Sequence, residues 1–311
     1  MLLVAGSLTM EWIYRCAELP SEGGFAQGSA SIHIGGLAGV EALAAMRSGA
    51  QVLLLSAVGN DDEGARIRKL LHEHGVDAFL QVSRDAPSGS GACIVNDEGR
   101  YIRSESAGAN ALLNVNAEAE QLLDRASLLL CQCDANTRAS GMLMNRAASR
   151  GIRRVLHASP ARPEALAVLA PLADLIIANP ESLCALGRQF SHVWQEDFKG
   201  EHLHALSDTR LHELCRSIVP CDVVLLLGAR GAFVSRTAGT HQLLGDLRAA
   251  VRRVQLRCAE ELFVGGLCAR LAEGADLIGS VRYGVCASAI MPLPGGQDAI
   301  PRKSEVLATL E

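Results

Sequence analysis

Glu260 and Glu261 stand side by side ahead of the stretch FVGGLCARLAEG, with Cys258 and Ala259 leading into them. The start of a helix attracts anions, because its first N–H groups have no partner within the helix. Acids there either stabilise the helix dipole or contest the place with an incoming anion. Like charges about 4 Å apart repel by roughly 1 kcal/mol in water, and by more where water is partly excluded. Asp134 is a second acid of interest. It follows the strand-like run LLLCQC, and sites in open α/β sheets form at such strand ends; a plain helix cap is the alternative. His157 closes another strand and is the one histidine placed near such a cleft. The nine histidines show no HExxH or comparable spacing, so no metal site is expected. The ten cysteines are scattered mostly through apolar segments, and Cys131 and Cys133, the close pair, read as structural thiols.

These residues need a scaffold. Strand-like runs fall at 2–5, 51–57, 126–133, 154–157, 175–178 and 223–227. Helical stretches at 40–48, 63–74, 117–124, 139–150, 181–186, 208–218 and 261–273 lie between or after them. Such alternation predicts an α/β fold with a mostly parallel central sheet flanked by helices on both faces. Several runs are apolar without alternation, as strands covered on both faces must be. Two regions, about 12–34 and 88–106, carry short polar strand-like pieces with Gly and Ser, and predict a small second sheet. The segment 189–207 is polar and matches neither pattern.

The composition narrows the partners. The chain has 311 residues, a formal net charge of −5, no basic block and 4% aromatics, which argues against nucleic acid or an anionic membrane. No stretch approaches the roughly 20 apolar residues that span a bilayer. The first ten residues read as a buried strand, and the expected compartment is the cytoplasm.

Taken in order, several motifs resemble those of the ribokinase or PfkB family of carbohydrate kinases. They are GSLTME after the first strand; IGGLAGVEALAAMRSGAQVLLLSAVGNDDEG; GANALL at 108–113; ANPESLCALG at 178–187; LGARG at 227–231; and FVGGLCARLAEG. The resemblance covers nearly the whole chain. It implies one ribokinase-like α/β domain over 1–311, with the two polar regions forming a small β lid. It also implies ATP and Mg2+, phosphoryl transfer to a hydroxyl of a small-molecule sugar or nucleoside, and a homodimer formed through the lid.

The family's chemical positions carry over unevenly. Its catalytic turn, D-T-T-G-A-G-D, ends on an Asp that accepts the hydroxyl proton; that place falls on Glu261, one methylene longer. The anion-hole positions fall on Cys258, Ala259 and Glu260, so side chains stand where glycines would let backbone meet phosphate. On the sugar side the first-strand Asp falls on Glu11, with Thr9 two residues before it. The Gly-Gly turn survives as Gly35 and Gly36, the Asn that holds a sugar hydroxyl is Val40, and Asp134 matches a sugar-contacting acid. On the nucleotide side, the Asn-x-x-Glu element that helps organise magnesium and phosphate keeps Asn179 but has Ser182 for Glu. Leu227 replaces a usual Thr beside Gly228 and Gly231, whose alternative reading is a hairpin turn.

Three readings follow. One is a kinase using Glu261 as base on an atypical substrate. The second is a pseudokinase-like binding or regulatory protein with phosphotransfer weak or lost, towards which the changes at the sugar Asn, the magnesium Glu, the anion-hole glycines and the catalytic Asp point. The third, a dinucleotide-binding enzyme, is disfavoured because no GxGxxG follows the first strand. A further expectation concerns Glu260: its carboxylate folds into the place that phosphate would take.

Overall fold

The computed structural model describes residues 1–192, 194, 198–245, 258–290 and 299–310. Its strands are β1 Leu2–Ala5, β2 Thr9–Cys16, β3 Gly28–Gly35, β4 Val52–Gly59, β5 Asp77–Ser83, β6 Gly89–Asn96, β7 Tyr101–Ser106, β8 Leu128–Gln132, β9 Arg153–His157, β10 Leu175–Ala178, β11 Asp222–Leu226, β12 Ala232–Ser235 and β13 His241–Leu244. Its helices are α1 Leu37–Arg47, α2 Asp62–Glu73, α3 Ala117–Gln121, α4 Thr137–Ser149, α5 Pro163–Leu169, α6 Pro180–Phe190, α7 Gly200–Leu203, α8 Asp208–Arg216, α9 Ala259–Ala272, α10 Leu277–Ile290 and α11 Lys303–Leu310.

The large sheet runs β13-β12-β11-β10-β9-β8-β1-β4-β5. It is parallel from β5 to β11, and β12 and β13 add to it antiparallel. Successive strand residues point to opposite faces, and the core divides accordingly. Leu3, Leu53, Leu129 and Leu156 pack under α4, α5, α6 and α8. Leu2, Val4, Leu54 and Leu130 pack under α1, α2, α9 and α10. The expected α/β layering is what forms. The smaller sheet, in the order β3-β2-β6-β7, is built from the two polar regions.

Several elements went unseen in the sequence. α10 is buried nearly all round against α9 and shows no polar stripe to mark its period. β12 and β13 are four residues each, too short to display alternation. Of the polar segment 189–207, residues 193 and 195–197 lie outside the described residues; α7 is the helix within it. Among the described residues, no helix is long and apolar enough to cross a membrane.

The motifs serve as joints. Asn110 of GANALL is fully buried and clamps the link between β1 and β2, accepting from Leu8 N and donating to Leu8 O, each at 2.9 Å. Asp61 caps α2 through Gly64 N at 2.8 Å and also accepts from Ser88 N at 2.7 Å, tying the large sheet to the start of β6. Gly36 has φ 79°, and a Cβ there would lie 2.5 Å from the Ser7 carbonyl oxygen, so only glycine lets α1 begin this close to the end of β1.

α1 and α9 touch along their backbones at Gly265. A Cβ on Gly265 would lie 2.6 Å from both the Glu41 carbonyl oxygen and Ala44 Cβ. Gly265→Ala is therefore expected to cost about 1–3 kcal/mol of stability by overpacking, measured by urea unfolding. A loss within a few tenths of a kcal/mol would contradict the close approach of the two helices.

Candidate functional site

The C-terminal ends of β1, β8, β9 and β10 bring Ser7, Asp134, His157 and Asn179 to one edge of the large sheet. α9 starts beside them, and β7 contributes from the smaller sheet. Between them lies a cleft of about 570 Å³ lined by Ser7, Asp134, Arg162, Gly228, Ala259, Glu260 and Glu261 on one side and Tyr101, Arg103 and Glu105 on the other. Tyr101, Arg103 and Glu105 alternate along β7, so all three face the same way.

On the β7 side, Arg103 links two acids. Its Nε lies 3.3 Å from Glu11 Oε1 and its Nη2 3.0 Å from Glu105 Oε2. Glu11 is nearly inaccessible, so the arginine compensates a charge that would otherwise be costly to bury. Thr9 shares the Glu11 face of β2 and is fully buried; Gly35 packs against both, where a Cβ would lie 2.6 Å from Thr9 Oγ1. Val40 is buried in α1.

Asp134 faces the cleft from just beyond β8. Ser7 Oγ donates to its carboxylate and in turn accepts from Leu37 N at 3.0 Å. Burial pushes the Asp134 carboxyl up to about 6, against the hydrogen bond from Ser7. Asp134 is not the cap of α4; Asn136 is, accepting from Ala139 N at 3.1 Å. Ser7 had no signal beyond its place after the first strand. Cys131 and Cys133 are buried, and burial raises both thiols, that of Cys133 to about 12.

At the start of α9 the four neighbouring groups divide sharply. Glu261 is buried at the cleft wall. Burial raises its carboxyl to about 7, and the Glu260 charge adds to that while His157 opposes it. Glu260 turns aside. Its two carboxylate oxygens accept from Asn179 Nδ2 at 3.3 and 3.2 Å, and Oε2 lies 3.7 Å from His157 Nε2. Asn179 does double duty, since its Oδ1 caps α6 by accepting from Ser182 N at 2.9 Å. Cys258 precedes the helix as its N-cap residue without a capping side-chain bond. Residues 255–257, the opening of the expected catalytic turn, lie outside the described residues.

Behind Glu260 runs a buried polar chain of which the sequence marks His157 but not Glu41 or Gln132. His157 is fully buried, and its Nδ1 lies 2.6 Å from Glu41 Oε1. Gln132 Nε2 donates to the other Glu41 oxygen. The available signal was one carboxylate in the apolar run LAGVEALAAM, because a charge seldom enters a buried helix without a partner. Burial by itself would lower the His157 pKa, but its contacts with Glu260 and Glu41 lift it to about 10. Burial raises the Glu41 carboxyl while His157 pulls it down. Glu260, whose carboxyl His157 and Asn179 hold low against its own burial, decides the balance: with two acids beside it, the imidazole keeps the proton.

The turn Leu227–Gly231 joins β11 to antiparallel β12, with φ 54° at Gly228 and 91° at Gly231, so those glycines do make a hairpin connection. Gly228 also reaches the cleft, whereas Leu227 is fully buried. The resemblance implies a magnesium-bound phosphate at the start of α9. A carboxylate stands there, and the Ser182 hydroxyl is completely buried, with no partner among the described residues and no access to a ligand.

A large parallel sheet, helices on both faces and a second small sheet meeting at one cleft define the ribokinase-like fold. The family model described as pfkB family carbohydrate kinase matches residues 1–303, and the chain belongs to that family. It is 28% identical to a ribokinase of the mouse, Mus musculus, over 284 residues, covering 89% of this chain and 83% of that one. Among solved structures it is similar to ribokinase from Giardia lamblia, with TM-score 0.82, 19% identity and coverage of 99% and 98%. It is also similar to Arabidopsis thaliana ribokinase complexed with ribose and ATP, with TM-score 0.77, 17% identity and coverage of 100% and 98%.

The buried chain has a pH consequence. With its pKa at about 10 in the folded chain against an ordinary 6.5, His157 keeps a proton that the unfolded chain releases. Its stabilisation is complete below about pH 6.5 and is lost as pH rises towards 10. The urea midpoint should fall across that window, and His157→Asn should flatten the fall. Equal slopes in the two proteins would show that His157 is not charged.

Proposed function

We propose that this chain is a small-molecule-binding member of the carbohydrate kinase family in which phosphoryl transfer is weak or lost. The ligand is a sugar or nucleoside held in the cleft, with Glu11, Thr9, Asp134 and the turn at Gly35 and Gly36 on the sugar side. Strands of 12–34 and 88–106 act as a lid, bringing Arg103 and Glu105 over the ligand. A homodimer through that lid, in the cytoplasm, completes the reading.

One observation carries the proposal: the Glu260 carboxylate is held by Asn179 and faces His157 at the start of α9. Phosphoryl transfer depends almost wholly on positioning and on compensating phosphate charge. An acid at that place works against both. Ser182 and Leu227 on the nucleotide side, and Val40 on the sugar side, support the same conclusion, since none presents the group that the family pattern supplies there.

A second reading is favoured by Glu261. A carboxyl raised to about 7 and set in the cleft wall is well matched to accept a proton from a hydroxyl near neutral pH. The longer arm counts against it, because a displacement on the order of 1 Å can cost about a hundredfold in rate.

The two readings separate in one assay. With ATP and Mg2+ and a panel of sugars and nucleosides, ADP release should stay near background and be unchanged by Glu261→Gln. Calorimetry without nucleotide should still detect a sugar or nucleoside. Robust turnover abolished by Glu261→Gln would establish the second reading instead.

A further inference from the structure

The charges that line the cleft do not balance. Glu105, Asp134, Glu260 and Glu261 stand against two arginines, Arg103 and Arg162. Both arginines are already engaged. Arg103 lies 3.3 Å from Glu11 and 3.0 Å from Glu105, so two acids share one guanidinium. Arg162 Nε lies 3.0 Å from Glu164 Oε1. Glu260 is met by Asn179 and faces His157. The partners of Asp134 are neutral: the Ser7 hydroxyl and backbone N–H groups. Glu261 is 8% exposed in the cleft wall, and among the described residues its carboxylate has no hydrogen-bond partner beyond its own backbone. The opposing charge that it feels, from His157, is shared with Glu41 and Glu260.

Repulsion also runs across the cleft. Glu105 stands on β7 and Asp134 beyond β8, and the Glu105 charge adds to the rise of the Asp134 carboxyl. Glu11 acts on Glu105 in the same sense. The strand register explains the crowding. Gly91 of β6 lies opposite Glu11 of β2 on one side and Glu105 of β7 on the other, so two acids flank a residue without a side chain. The acids are spread along the walls rather than gathered: among the described residues, no three His, Cys, Asp or Glu side chains come together as a metal ion needs. Such a surface suits a cation carried on a larger molecule.

We propose that the cleft selects a sugar bearing a protonated amine, with the ammonium group seated between Glu105 and Asp134. Arg103 is a positioning residue for that seat. Its guanidinium compensates the buried Glu11 and fixes the Glu105 carboxylate beside the cleft. The inference rests on the reading of the cleft as a sugar site and names the class of sugar. An unpaired carboxylate is costly to bury. A bound proton relieves that cost, which is why Asp134 is raised to about 6 and Glu261 to about 7. An ammonium group takes over from such a proton and adds a charge-assisted hydrogen bond, roughly twice as strong as a neutral one. A hydroxyl in the same place brings no charge, and an N-acetyl group removes it.

The test is calorimetric, on the full chain at neutral pH without nucleotide. Glucosamine, galactosamine and mannosamine are each compared with the parent hexose and the N-acetyl derivative, and inosine is titrated beside them. At least one amine should bind about tenfold or more tightly than both of its neutral counterparts. Its binding should also release protons, read as a dependence of the measured heat on the ionisation heat of the buffer. Glu105→Gln and Asp134→Asn should each remove the preference while leaving the parent sugar within about twofold of its starting affinity, with circular dichroism to check that each variant folds. A neutral sugar that binds as tightly as its amine would overturn the selectivity and leave the sugar site standing. So would binding of inosine with none of the amines. A preference that survives both substitutions would overturn the seat between Glu105 and Asp134. If nothing in the panel binds, the inference and the reading beneath it both fall. Robust ADP release in a separate turnover assay would remove only the loss of phosphoryl transfer.

Discussion

The contact between Glu41 and His157 constrains everything around the cleft. A carboxylate on a helix buried against a sheet is tolerated only with compensating charge and hydrogen bonds. Here the compensation comes from β8 through Gln132, from β9 through His157, and beyond it from Glu260 at the start of α9. Four elements are thereby held in one arrangement by a polar chain inside an apolar core. The close backbone approach of α1 and α9 at Gly265 makes that chain possible, since it places Glu41 within reach of the strand ends.

The chain also sets the character of the cleft. One proton retained on His157 leaves Glu260 ionised and turned away from Glu261. Glu261 is left beside a fixed negative charge in a water-poor wall, which is why its carboxyl is raised. Across the cleft the same logic recurs in another form. There Arg103 bridges Glu11 and Glu105, while on the side of α9 Ser7 steadies Asp134. The acids of this site are thus sorted by their partners: Glu11 and Glu260 are compensated, and Asp134 and Glu261 are left poised by burial.

The motifs were legible because each answers a local demand. Gly36 is required by a positive φ against the Ser7 carbonyl, Asp61 by the open N–H groups of α2, and Asn179 by those of α6. The two caps are satisfied three residues along the chain, so spacing alone reveals them. β12 and β13 were too short to show a period, and α10 is buried nearly all round and shows no stripe. Asp134 shows the limit in the other direction. A strand-end acid reads equally well as a cap or as a ligand group, and only the hydrogen bond that Ala139 N donates to Asn136 Oδ1, at 3.1 Å, settles that another residue caps α4.

By itself the sequence determined the alternation of strands and helices, the two polar stretches that become the small sheet, and the presence of Val40, Ser182 and Glu260 where the family pattern has an amide, an acid and a glycine. These are properties of periodicity and of residue type along the chain. The tertiary structure alone decided what Glu260 does. Its partners Asn179 and His157, and the partner of His157 in turn, are 81 and more residues distant in sequence. They meet only because parallel strands end at one edge of the sheet and α1 lies against α9. A helix-start acid looks the same in a sequence whether it faces water or a buried imidazole, and its charge has meaning only once the groups facing it are in place.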